Sequence, residues 1–251
     1  LNGDTSNHIE RHPIEGPVSR YLNRRISRPI ARRIKDVPWL TPNRVSVLSL
    51  FIACLAAFFY SFGSLLIPGE YRAFDFFFIV PSLVIGGTLV ELSSIVDGVD
   101  GDLARERGVS SDEGAVFDAV LDRYADIVIL AGITYSLMGE GNNTELFPGS
   151  SVSLALSQDI VFITFVLAVS GCFMVSYSRA RLEAASLFSS EKHIYFGATR
   201  DVRLFIIFIC SLFGYTFLAL LFVALAGNLT VLLRLSSIVQ SEEPEETIQD
   251  A

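Results

Sequence analysis

From Asn43 to Leu233 the sequence is dominated by apolar runs, several of them near the ~20 residues that an α-helix needs to cross a bilayer's hydrocarbon core. Residues 43–66, 75–105, 115–138 and 160–179 each read as one span. The run over 204–233 is long for a single helix rising 1.5 Å per residue, and it divides near Gly214 and Tyr215 into two. The expected fold class is therefore all-α: a polytopic membrane protein of six transmembrane helices. Composition agrees, because 18% of residues are charged, against about a quarter in a soluble domain.

Around this core the chain divides by charge. Residues 1–16 are a polar lead-in, and 17–36 a basic stretch in which Val18, Leu22, Ile26, Ile30 and Ile34 recur every four residues among arginines. That pattern predicts an amphipathic juxtamembrane helix in the headgroup plane, kinked or split at Pro29. Nucleic-acid affinity is the competing reading of the arginines, and the immediate entry into the membrane argues against it. Residues 37–239 form the membrane domain, and 240–251 an acidic tail expected to be disordered. Lys and Arg gather before the first span, after the second, after the fourth and after the sixth. By the positive-inside rule, both termini face the cytoplasm across the cell membrane. Cys54, Cys172 and Cys210 lie in apolar runs and read as buried free thiols.

The second and third spans carry what a plain span does not. Asp97, Asp100 and Asp102 end one, and Asp118, Asp122 and Asp126 occupy the first half of the next. Carboxylates at membrane depth are costly, so they face the bundle interior and usually serve function. Asp97 and Asp100 are three apart, and Asp118 and Asp122 four apart, which places each pair on one helix face. A short loop lets the two faces meet. Four converging carboxylates require cations, and hard oxygen ligands select Mg²⁺ or Mn²⁺, two ions balancing the charge. Gly101, Ala104 and Gly114 leave room for a ligand, and Arg105 suits phosphate. The site lies roughly 12 Å inside the cytoplasmic boundary.

These residues carry a family resemblance. Asp97, Asp100, Gly101, Ala104, Arg105, Gly114, Asp118 and Asp122 fall in the order and spacing D-x-x-D-G-x-x-A-R-x8-G-x3-D-x3-D. This resembles the signature of the CDP-alcohol phosphotransferases. The resemblance implies that Asp97, Asp100 and Asp118 are the main metal ligands, with Asp122 sharing the second metal and acting as general base. Asp100, Gly101, Ala104, Arg105 and Gly114 would line the CDP site, and CMP would leave. Asp102 and Asp126 fall outside the signature. Asp102 is expected to be exposed near the loop, and Asp126, one turn beyond Asp122, could support the ligands from behind.

Arg179, Arg181, Arg200 and Arg203 flank the loop between spans four and five. They read either as positive-inside anchors or as a pocket for an acceptor phosphate, with Glu183 orienting one of them. The segments 16–27 and 198–205 are similar to those of di-myo-inositol phosphate phosphate synthases. That likeness implies CDP-inositol as donor and inositol 1-phosphate, a small phosphorylated polyol, as acceptor. It also implies a homodimer in membrane lipid and fusion to, or pairing with, a cytidylyltransferase. The nearest rival is a phospholipid synthase using CDP-diacylglycerol or CDP-archaeol. A cation transporter is a remoter one, because the acids show no relay across the membrane.

Overall fold

The computed structural model describes residues 16–69, 71–74, 77–139, 156–185 and 199–242. The expected lead-in and acidic tail therefore lie almost wholly outside the described residues, as does Lys192. A π-helical turn, Ser19–Asn23, runs into α1 (Arg24–Ile34). Long helices follow: α2 (Pro42–Leu66), α3 (Pro81–Arg107), α4 (Asp112–Gly139) and α5 (Gln158–Ala184). α6 (Arg200–Leu212) and α7 (Thr216–Glu242) complete the helical set. Between α2 and α3 two short strands, β1 (Tyr71–Phe74) and β2 (Phe77–Ile79), pair antiparallel, Tyr71 opposite Ile79. The second span was expected to begin at Asp75, which lies outside the described residues; Phe77–Ile79 after it are strand, and Pro81 at the first helical position starts the helix.

Helix limits follow local chemistry. Thr41 caps α2 by accepting from the Arg44 N–H, with Pro42 at the first position, and Ser157 caps α5 through the Ile160 N–H. Gly214, at φ 78°, makes the break between α6 and α7 where the long apolar run was expected to divide. Pro29 lies inside α1, which continues past it unsplit.

α2 turns its small residues inward. α2 buries Ser46, Ser49, Ala53, Ala56 and Ala57 and exposes Phe51, Phe58, Phe62 and Leu65. Small residues inward and large apolar ones outward suit helix packing in lipid, where close approach drives association. Among the described residues four helices, α2, α3, α5 and the first 24 residues of α7, are long and apolar enough to cross a membrane. Among the other two expected spans, α4 carries a heavily charged first half and α6 has only 13 residues. Ile129, Leu130 and Ile133 of α4, Leu204 and Ile207 of α6 and Leu220 and Val223 of α7 fill the centre. A second cluster joins Ala31 of α1, Val45 of α2 and Val99 and Leu103 of α3. The cysteines are unpaired as expected, but Cys54 is exposed on the outer face of α2 rather than buried.

Candidate active site

The end of α3 and the start of α4 place Asp97, Asp118 and Asp122 so that one carboxylate oxygen from each lies within 4.8 Å of the others. Asp100 stands beside this trio. It makes side-chain contact with Asp118, accepts from Ser46 Oγ of α2 and is bonded to the Gly101 N–H. All four signature aspartates thus converge. Asp118 Oδ1 is buried without a hydrogen-bond partner, an orphan acceptor that a cation would satisfy. A compact set of carboxylate oxygens with one left unpaired fits a hard divalent ion.

Positive charge reaches the same centre from α6. Arg200 Nη1 lies 2.7 Å from Asp97 Oδ2 and 2.8 Å from Asp122 Oδ1. Its Nε lies 3.3 Å from Asp126 Oδ1. Arg203 Nη2 donates to Asp126 Oδ2 at 2.8 Å, with both side chains 3% exposed. Asp126 is therefore the buried counter-ion that anchors both α6 arginines behind the ligands.

These groups open onto a cavity of about 990 Å³. Its lining includes Asp97, Asp100, Gly101, Ala104, Arg105, Gly114, Asp118 and Asp122, the whole signature, together with Arg123, Arg179, Arg200, Arg203 and Arg234. Arg179 is held by Glu183 at 2.8 Å, as expected for an orienting acid. Arg181 is exposed and does not line the cavity, because it follows Arg179 by two residues and so faces away from it on α5.

Two expectations need correction or addition. Asp102 is not exposed: it is 5% accessible and covered by α1. Sequence reading also passed over Arg123, which donates to Ser176 Oγ, and assigned Arg234 only to anchoring. Arg234 is buried and donates to Val175 O and Ser178 Oγ, both at 2.8 Å. Ser49, like Ser46, reaches a signature carboxylate, Asp97, at 3.4 Å. An arginine beside an intramembrane aspartate, and serines three apart in an apolar helix, were the available signals.

Comparison with known proteins places this geometry. Residues 39–232 match the CDP-alcohol phosphatidyltransferase family. A protein of Rubrobacter xylanophilus named bifunctional IPC transferase and DIPP synthase is 41% identical over 224 residues, covering 89% of this chain and 43% of that protein. Its namesake in Thermococcus kodakarensis is 30% identical, covering 93% of this chain and 47% of the relative. The chain thus spans about half the length of these relatives. An archaetidylinositol phosphate synthase of Pyrococcus horikoshii is 27% identical, covering 84% of this chain and 90% of that one. The fold is shared with the crystal structure of Mycobacterium tuberculosis phosphatidylinositol phosphate synthase with CDP-DAG bound. There the TM-score is 0.61 at 23% identity, covering 90% of this chain and 99% of that one. A second structure of that enzyme, in complex with manganese and citrate, also gives 0.61, at 22% identity, and covers 90% of this chain and 94% of that one. The chain belongs to the CDP-alcohol phosphatidyltransferase family, whose model residues 39–232 match.

Proposed function

We propose that this domain transfers a substituted phosphate group from a CDP-linked alcohol to the hydroxyl of a phosphorylated acceptor, with release of CMP. The carrying observation is the cavity itself, which is lined by the four converging carboxylates and by arginines from several helices. Asp97, Asp100, Asp118 and Asp122 would hold two Mg²⁺ or Mn²⁺ ions. When bound, such ions neutralise pyrophosphate charge and stabilise the leaving phosphate. Asp100, Gly101, Ala104, Arg105 and Gly114 accommodate the CDP end. Asp122 takes the proton of the acceptor hydroxyl. That oxygen then bonds to the β-phosphorus, and the bond from β-phosphorus to the CMP oxygen breaks. Arg179, Arg200 and Arg203, joined by Arg123 and Arg234, orient the acceptor phosphate through charge-assisted hydrogen bonds.

The preferred pair is CDP-inositol with inositol 1-phosphate, giving phosphorylated di-myo-inositol phosphate. The relatives named as DIPP synthases, at up to 41% identity, support it. A phospholipid synthase using CDP-diacylglycerol or CDP-archaeol is the second reading. It is favoured by the likeness to the archaetidylinositol phosphate synthase, 27% identical over 84% of this chain. The bifunctional relatives, about twice as long, support fusion or pairing with a cytidylyltransferase. We place α2 to α7 across the membrane as six spans. The π-helical turn and α1 lie on the cytoplasmic surface, with exposed Leu22 of the turn and Ile26 and Ile30 of α1 against lipid. A homodimer completes the proposal.

The test is CMP release by purified protein in detergent with Mg²⁺ and inositol 1-phosphate. Release with CDP-inositol supports the preferred pair. Release with CDP-diacylglycerol alone transfers the assignment to phospholipid synthesis. Release with neither refutes the reading.

A further inference from the structure

Asp102 lies outside the metal cluster and outside the signature, yet it is among the most heavily bonded side chains near the cavity. It accepts from Ser27 Oγ at 2.6 Å and lies 2.7 Å from Arg24 Nη1, both on α1. It also accepts from Arg105 Nη2 at 2.7 Å, one turn along its own helix. Arg24 and Asp102 are 12% and 6% exposed, so this pairing is largely removed from water, whereas Arg105 is 47% exposed toward the cavity. One carboxylate therefore joins a buried anchor to an arginine at the rim.

The anchor is extensive. Arg24 Nη1 also donates to the Gly98 carbonyl at 3.2 Å, next to Asp97. Asn23 Nδ2 donates to Ser94 Oγ at 2.9 Å. At the far end of α3, Arg107 donates to the carbonyls of Ile34, Lys35, Val37 and Leu40, which close α1 and lead into α2. α1 is thus fastened along the stretch of α3 that bears the signature.

An arginine side chain free to rotate loses entropy when it grips a phosphate, and holding it beforehand reduces that loss. Asp102, one turn before Arg105 on the same helix, is itself held by Ser27 and Arg24 of α1. We infer that Asp102 is a positioning residue: with Ser27 and Arg24 it pre-orients Arg105 toward the nucleotide phosphates, which makes α1 part of the donor site. This rests on the proposal that the cavity takes a CDP-alcohol.

The test is CMP binding in Mg²⁺ by isothermal titration, on the full chain in detergent, with thermal midpoints recorded alongside. Asp102→Asn keeps the shape and is expected to weaken CMP about tenfold. Ser27→Ala, which leaves Arg105 and Asp102 in place and loosens only their anchor, is expected to weaken it about threefold. Arg105→Gln should weaken it about as much as Asp102→Asn, and the two changes together little more than either alone. In turnover assays Ser27→Ala and Asp102→Asn should raise the donor KM and leave the acceptor KM unchanged. Lower midpoints with CMP affinity unchanged in both Ser27→Ala and Asp102→Asn would make the bridge merely structural and overturn the inference. Additive losses in the double variant would overturn it as well. Failure of the unmodified protein to bind CMP would refute the CDP-alcohol reading itself, and the inference with it.

Discussion

Replacing Arg200 by Met tests whether this side chain and a divalent ion neutralise the same carboxylates. Arg200 is 14% exposed and contacts Asp97 and Asp122 through a single nitrogen. Asp126 keeps Arg203 and Asp122 keeps Arg123 at 3.8 Å when Arg200 is lost, so Asp97 is the carboxylate that loses its cation. Removing one partner of a buried ion pair costs about 3–5 kcal/mol. At about 2–4 °C per kcal/mol for a chain of this size, the thermal midpoint in EDTA should fall by about 10 °C. Metal should then act unequally on the two proteins. In the unmodified chain an ion must approach against the guanidinium; in Arg200→Met it does not. Binding about tenfold tighter in the variant would return about 1.4 kcal/mol at saturation, narrowing the gap by about 4 °C. The assay is thermal unfolding in detergent, with EDTA and with saturating Mn²⁺. An equal Mn²⁺ shift in both proteins, or a variant as stable as the parent in EDTA, would refute the shared-charge argument.

Three further outcomes are expected. Asp122→Asn should abolish CMP release while keeping expression and midpoint, and EDTA should stop release in the unmodified protein until Mg²⁺ or Mn²⁺ is restored; turnover by the variant would remove the base. Arg179→Ala should raise the acceptor KM about tenfold, whereas Arg181→Ala, outside the cavity, should leave it unchanged; equal effects would show that general positive charge, not cavity geometry, selects the acceptor. Gly132→Ala should lower the midpoint in detergent, because a Cβ there would lie 2.7 Å from the Ala57 Cα and 2.8 Å from its carbonyl oxygen. Overpacking of that kind costs about 1–3 kcal/mol, and an unchanged midpoint would mean that α2 and α4 separate freely.

Much of the bundle was legible because its signals are local. Thr41 and Pro42 mark the start of α2 by capping chemistry, and Gly214 marks the break after α6 by its backbone freedom. Phe77–Ile79 were read as part of the second span but form β2, because an apolar run does not by itself distinguish helix from strand. Arg179 and Arg181 looked equivalent by composition, and only the placement of α5 against the cavity separates them.

The sequence alone determined which carboxylates share a helix face, because residues three and four apart lie together on any α-helix. Hence the pairs Asp97 with Asp100 and Asp118 with Asp122, and the divalent-ion chemistry that follows, needed no coordinates. Helical period does not say which element will cover a face. Asp102 was expected near solvent because its own helix ends close by; the tertiary structure lays α1 over it and supplies Ser27 and Arg24 from 75 and 78 positions upstream. Arg200 enters the aspartate cluster 103 positions after Asp97. Both results come from long-range packing, in which small buried residues let particular helices approach, and no local pattern in the chain encodes which helices those are.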